Sequence, residues 1–239
     1  MFERYSLDIL GKNFDLKSLH MVRDAISPNE WSSIATGIIR LVHKNMLLEE
    51  QSLYDELTGL PNRRYFNQTL DKEIAASHRY GHALSLVIFD IDKFKNLNDT
   101  HGHDVGDKVL QNVARTCQEH IRLSDTASRS PLTARIGGEE FGIILPHTPV
   151  HGAYSVAERL REYLKYSRIN FKKQDLGITI SLGVAGYHSL HEADTIMSKN
   201  AILEDRNLLM RHADEALYEA KRGGRNCTVV YEKTHPQRE

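Results

Sequence analysis

The chain has 239 residues, 40% hydrophobic and 26% charged, and its 31 Lys and Arg against 32 Asp and Glu leave a formal net charge of −1. That balance excludes a polycation that coats nucleic acid or anionic membrane through overall charge, and two cysteines, Cys117 and Cys227, are too few for a disulfide-dense scaffold or a four-cysteine zinc site. No run approaches the roughly 18–20 apolar residues of a membrane helix, and Glu3 and Asp8 stand where a signal peptide has only basic and apolar residues. The expected setting is therefore the reducing cytoplasm, with no direct membrane insertion and no nucleic-acid partner.

Leu16, Leu19, Val22 and Ile26 recur at helical spacing. Ser27, Pro28 and Glu30 then supply an N-cap, a first-turn proline and a capping-box acid. A second helix is predicted from there to about Tyr54. Trp31, Ile38, Asn45 and Ser52 form one heptad seam, Ile34, Leu41 and Leu48 the other, and Ile39, Val42 and Met46 flank them. Two readings stay open: an amphipathic helix packed on its own domain, or a dimerising stalk whose register Asn45 fixes. Residues 1–53 are accordingly read as a helical, dimerising and regulatory segment, 54–231 as the main domain and 232–239 as a frayed tail.

After a turn at Thr58-Gly59-Leu60-Pro61-Asn62, helices and strands alternate. A helix is predicted over 64–78, and a buried strand over the apolar run 84–89. A helix over 106–120 carries Val109, Leu110, Val113 and Cys117 on one face. Strands over 132–136 and 141–145 form a hairpin around Gly137-Gly138-Glu139-Glu140. A helix over 154–166 follows, then a strand with apolar–polar alternation over 178–184. The last elements are a helix over 208–222, ended by Gly223-Gly224, and a strand over 227–231. The polar stretch 187–207 is left unassigned, as an ordered cap or a loop. The sum is an α/β (α+β) layer fold, with helices flanking a central, mainly antiparallel sheet.

Asp90 ends the apolar strand, which places a carboxylate at a sheet edge. Glu139 and Glu140 lie in a turn whose two glycines let backbone or substrate come close. If the strands pair, Asp90 and Glu139 converge as hard oxygen donors suited to magnesium, with no His/Cys cluster to favour a softer metal. Taken alone, a Gly-Glu hairpin is more often only a turn, Asn98-Asp99 turn formers, Asp107 a helix N-cap, and Lys221 and Arg225 charges matched to a helix C-terminus.

Five motifs in order change that balance. Arg135-Ile136-Gly137-Gly138-Glu139-Glu140-Phe141 resembles the signature of the GGDEF family of diguanylate cyclases, in its GGEEF form. The run from Asp55 to Arg64, DELTGLPNRR, resembles the family's entry motif. Phe89-Asp90-Ile91-Asp92-Lys93-Phe94-Lys95, continuing through Asn98, His103 and Asp107, resembles its metal and guanine segment. Ile180-Ser181-Leu182-Gly183-Val184-Ala185 resembles its later strand, and Asp214 to Lys221 with Gly224-Arg225-Asn226 its terminal helix and loop.

The resemblance implies a palm-like, nucleotidyl-cyclase fold preceded by a helical stalk. It implies an enzyme that joins two GTP into cyclic di-GMP and two pyrophosphates across a homodimer or higher oligomer, as second-messenger signalling of the kind tied to biofilm formation. Two Mg2+ or Mn2+ ions per site would be held by Asp90, the Ile91 carbonyl and Glu139. Glu139 would help deprotonate the 3′-hydroxyl, with Glu140 as a second acid. Asn98, Asp107 and His103 would contact guanine or substrate; Lys95, Lys221, Arg225 and the Lys93 and Phe94 amides would contact phosphates. A regulatory protein on the N-terminal helices is a further expected partner. Where many relatives carry Arg-x-x-Asp for product inhibition, this chain has Ser128 and Pro131, so no such product site is expected. Two competing readings are a degenerate domain that only binds GTP or cyclic di-GMP, and another nucleotidyl transferase with two palm carboxylates.

Overall fold

The apolar run beginning at Leu84 forms β1 (Leu84–Ile91), and all eight residues are buried because both faces of the strand are covered. The computed structural model describes residues 27, 29, 32, 36, 37, 39, 40, 53–121, 131–171, 174–188 and 197–232. The chain divides into two units, Met1–Ser52 and Leu53–Glu239.

In the second unit the helices are α1 (Arg63–Tyr80), α2 (Phe94–His101), α3 (His103–Ile121), α4 (Val150–Tyr166) and α5 (Lys199–Arg222). The other strands are β2 (Leu132–Arg135), β3 (Glu140–Pro146), β4 (Ile169–Phe171), β5 (Gln174–Leu176), β6 (Ile180–Gly186) and β7 (Thr228–Val230). The main sheet runs β2-β3-β1-β6-β7, and β4 and β5 form a separate hairpin. β1 is antiparallel to both β3 and β6, β2 is antiparallel to β3, and only β7 is parallel to its neighbour.

Period-2 alternation splits the core between two faces. Val87, Phe89, Phe141, Ile143 and Leu182 pack with α3 and α4 through Val109, Val113, Val156 and Leu160. Leu86, Ile88, Ile144 and Ala185 pack with α1 and α5 through Phe66, Leu70, Leu209, Ala213 and Leu217. Two glycines permit close approach. A Cβ on Gly142 would lie 2.6 Å from the Phe66 ring, and one on Gly183 would lie 2.1 Å from the Ala213 carbonyl of α5.

In the first unit the described positions Asn29, Ser32, Thr36, Gly37, Ile39 and Arg40 are helical, and Ile39 is 53% exposed. The seam residues Trp31, Ile34, Ile38, Leu41, Asn45 and Leu48 lie outside the described residues, as do the segment from Leu16 to Ile26 and residues 233–239. The predicted helix does not reach Tyr54, which instead bridges Pro61.

Several predicted elements need correction. α5 begins at Lys199, not near 208, because Ser198 caps it by accepting from the Ala201 amide at 3.2 Å. Its early stripe is disguised by Asp205, which is buried and accepts from the Tyr187 hydroxyl at 2.6 Å. Half of the unassigned stretch is therefore helix, and residues 189–196 lie outside the described ones. α4 starts at Val150, directly after Pro149, and α3 starts at His103, which puts Asp107 inside the helix and not at its N-cap. α2 and the β4–β5 hairpin were not predicted. β6 is shifted two residues onward and is buried on both faces, since Ser181 and Gly183 accommodate neighbours that their polar or small character disguises.

Gly183→Ala is expected to destabilise the fold by about 2–3 kcal/mol, since α5 backbone must move to admit the methyl group. Chemical denaturation of the variant against the parent measures it.

Candidate active site

Asp90 follows Phe89 in β1, so its side chain falls on the α1/α5 face, where it is 5% exposed. Lys221, in the last turn of α5, places its Nζ 2.9 Å from Asp90 Oδ2. Glu140 lies opposite Asp90 in the β1–β3 register, and the Ile91 amide donates to the Glu139 carbonyl at 3.4 Å. The glycine turn thus closes over the end of β1 and gathers Asp90, Glu139, Glu140 and Lys221 at one point.

Three carboxyls around that point, those of Asp90, Glu139 and Asp214, resist ionisation. Burial pushes Asp90 up, Lys221 opposes this, and the charges of Glu140 and Asp92 add to it. Glu139 is pushed up by burial and then by the charge on Asp90. Asp214, two turns before Lys221 on the same face of α5, is pushed up by burial and by Glu140. Four acids against Lys221 and the more distant Arg63 make a site short of positive charge.

Two arginines hold the turn. Arg63, at the start of α1, donates from Nε to the Ile136 carbonyl at 2.6 Å, and its Nη2 stands 4.0 Å from Glu140. Arg135 donates from Nε and Nη2 to the Gly138 carbonyl at 3.1 and 2.7 Å. Asp55 pins Arg135 in turn, both carboxylate oxygens lying 3.0 Å from Nη1, and it also accepts from the Thr58 amide and hydroxyl. A Cβ on Gly137 would meet a Glu140 carboxylate oxygen at 2.5 Å, so a side chain there would push the Glu140 carboxylate from its place.

α2 and α3 meet through Gly102, whose φ is 87°. Asn98 points between them, its Oδ1 buried without a hydrogen-bond partner, and a Cβ on Gly106 would lie 1.9 Å from that oxygen. Asp107 follows on the exposed side of α3, and His103 is exposed at its start. Lys93 has φ 57° and begins α2 without a side-chain cap, which leaves the helix's first-turn amides uncapped by the protein. Lys95 is exposed beside them, and Arg225 is exposed in the turn after α5 with φ 67°.

Asp90 and Glu139 therefore converge, as expected if the strands pair, and Lys221, read from the sequence as a phosphate contact, lies on Asp90. Arg63, Asp55, Arg135 and Asp214 had no assigned role in the sequence; all four fall within the quoted motifs, which was the available signal. Of the product-inhibition positions, Pro131 is half-buried just before β2, and Ser128 lies outside the described residues. Among the described residues no three His, Cys, Asp or Glu side chains are grouped to hold a metal ion, and no helix is long and apolar enough to cross a membrane.

This arrangement of sheet, glycine turn and acids defines a class. The family model for the diguanylate cyclase GGDEF domain matches residues 52–227, and the chain belongs to that family. It is 37% identical over 181 residues to the diguanylate cyclase DgcP of Pseudomonas aeruginosa, covering 76% of this chain and 24% of that one. It superposes on the GGDEF domain of DgcB from Caulobacter crescentus, solved in complex with c-di-GMP, with a TM-score of 0.65, 32% identity, and coverage of 76% of this chain and 94% of that one. The diguanylate cyclase SiaD of Pseudomonas aeruginosa, solved in complex with its activator SiaC, gives a TM-score of 0.65 at 32% identity, over 90% of this chain and 73% of that one. The chain spans from 24% to 57% of the length of the curated relatives it matches.

Asp55 supplies a pH dependence. Burial pushes its carboxyl up, but the bonds from Thr58 and Arg135 outweigh this and leave it below the usual carboxylate value. Its stabilising contribution is thus complete above that usual value and is lost as pH falls through the lowered one. Denaturant titrations from pH 7 to pH 3 are expected to show a loss on the acid side that is smaller in Asp55→Asn. At pH 7 that variant is expected to be about 1–2 kcal/mol less stable.

Proposed function

We propose that this chain is a diguanylate cyclase that condenses two GTP into cyclic di-GMP and two pyrophosphates, working as one half of a homodimer. The observation that carries the reading is the closure of the Gly137–Glu140 turn over Asp90 and Lys221, within a domain of the GGDEF family.

The donor chemistry suits a hard divalent cation. Asp90, Glu139 and the Ile91 carbonyl offer only oxygen, and the raised carboxyls mark a place where added positive charge is favourable. These groups would hold Mg2+ or Mn2+, two ions per site, and the metal would offset charge on the triphosphate and on the leaving pyrophosphate. The chain's own residues do the remainder. Asn98 and Asp107 read the guanine edge, where a carboxylate accepts two parallel N–H bonds and rejects adenine, and His103 contacts the substrate beside them. The Lys93 and Phe94 amides at the head of α2, with Lys95, Lys221 and Arg225, take the phosphates.

Each 3′-hydroxyl attacks the α-phosphorus held by the other subunit. Glu139 accepts the hydroxyl proton, a new P–O bond forms, and the bond to pyrophosphate breaks with its electron pair. Glu140 lies next to Glu139 as the second acid. A monomer holds one GTP and cannot complete this exchange, so subunits must face each other. The helical seam of Trp31, Ile34, Ile38, Leu41, Asn45 and Leu48 is proposed to join them. A regulatory protein acting on these helices is proposed by analogy with the activator complex of SiaD. The setting proposed is cytoplasmic signalling without product feedback through Ser128 and Pro131.

Incubation of the full chain with GTP and Mg2+, with product identified by mass, tests the reaction. Asp90→Asn and Glu139→Gln are each expected to abolish cyclic di-GMP formation while the protein stays folded; near-normal turnover in either overturns the assignment. Gly106→Ala is expected to push Asn98 off its position and lower kcat/KM for GTP by about 10–100-fold, with a smaller preference for GTP over ATP.

A further inference from the structure

Asp92 stands two residues beyond Asp90, with a different set of partners. Its amide donates to the Thr179 carbonyl at 2.9 Å, which carries the β1 ladder one step further. Its carboxylate accepts three hydrogen bonds: from the Ser181 hydroxyl at 2.6 Å, the Thr179 hydroxyl at 2.7 Å and the Asn226 amide at 3.0 Å. The first two partners lie in or beside β6. The third belongs to the turn that follows α5.

That turn is costly to form. Gly224, Arg225 and Asn226 have φ of 113°, 67° and 47°, and Arg225 carries a side chain that the left-handed region disfavours by about 1 kcal/mol or more, whereas Asn226 is of a type that enters it more readily. Few bonds offset the cost. The Arg225 amide reaches back to the Ala220 carbonyl at 3.1 Å, the Asn226 side chain accepts from Arg161 at 2.9 Å, and the Asn226 amide donates to Asp92 at 3.0 Å. Arg225 is suspended between the first and the last of these anchors. Asp92, Lys93, Arg225 and Asn226 line one cleft of about 850 Å3, so a shift of the turn changes the approach to the head of α2.

We propose that Asp92 is a positioning residue for the triphosphate: through the Asn226 amide it sets the left-handed turn that presents Arg225 to the β- and γ-phosphates, and it does not itself touch substrate or metal. This rests on the reading of Arg225 as a phosphate contact. The carboxylate suits the task because it only accepts, so one rigid group ties β6, the end of β1 and the turn together. Asparagine at this position has one acceptor oxygen and turns an N–H2 group toward donors.

The experiment compares GTP, which has the triphosphate tail, with GMP, which lacks the β- and γ-phosphates, using the full chain. Asp92→Asn is expected to raise KM for GTP about tenfold, the lower end of what loss of a supporting bond behind a ligand contact costs. It is expected to leave kcat within about twofold, the inhibition constant of GMP unchanged, and hydrogen exchange of residues 223–226 faster. Arg225→Ala is expected to give the same GTP-selective loss, and the double variant to be no worse than Arg225→Ala alone. If Arg225→Ala weakens GTP but Asp92→Asn does not, or if Asp92→Asn weakens GTP and GMP alike, or if the two effects add in full, the positioning role is overturned while the phosphate reading stands. If Arg225→Ala leaves GTP untouched, the phosphate reading fails and this inference with it. Should Asp92→Asn not fold, Asp92→Glu carries the test, since it keeps the charge but moves it one methylene; an unchanged GTP-to-GMP ratio there overturns the role.

Discussion

The ion pair between Asp90 and Lys221 fixes the relation on which the rest of the site depends. A carboxylate at the end of a fully buried strand needs a cation near it, and the last turn of α5 supplies one at 2.9 Å. To reach, α5 must lie flat on β6, and it can do so because Gly183 leaves room for its backbone. Sheet, helix and acid are therefore one mechanical arrangement. A change in the packing of α5 is felt at Asp90, and neutralising Asp90 removes the ion pair that holds the end of α5 to the strand.

A second chain of bonds reaches the same point from the other side. Asp55 holds Arg135, Arg135 holds the Gly138 carbonyl, and Arg63 holds the Ile136 carbonyl, so the glycine turn is bound on both flanks. The entry segment also borders β2: Asn62 bridges Arg135 in parallel, and the Arg135 amide donates to the Pro61 carbonyl at 2.9 Å. Flexible glycines thus sit in a rigid frame. They give the turn close approach, and the arginines give it a single geometry.

Much of this was legible because it is local. The run into Asp90, the glycine pair before Glu139 and the two flanking strands are each written in adjacent residues. Asn98 and Asp107 were found by motif, but Asn98's seat against Gly106 depends on α2, whose eight residues bury only Phe94 and so show no helical stripe. β4 and β5 have three residues each, too few for alternation to register. β6 read as half-exposed because Ser181 and Gly183 resemble solvent-facing residues; one binds Asp92 and the other admits a helix. Asp92, Arg63 and Asp214 act through partners distant along the chain, and no spacing rule encodes those pairs.

The parallel pairing of β7 with β6 fixes chain length at one place. α5 ends at Arg222, and by Thr228 the chain is already opposite Leu182, with the Cys227 carbonyl accepting from the Leu182 amide at 3.0 Å. The connection is a short turn, Gly223 to Cys227. One residue added or removed there either slides β7 by a step, which turns its side chains to the opposite face, or unwinds the end of α5 that carries Lys221. Loop segments elsewhere on the surface of such a fold tolerate insertion, whereas here residue count itself is constrained, independently of which side chains fill the positions.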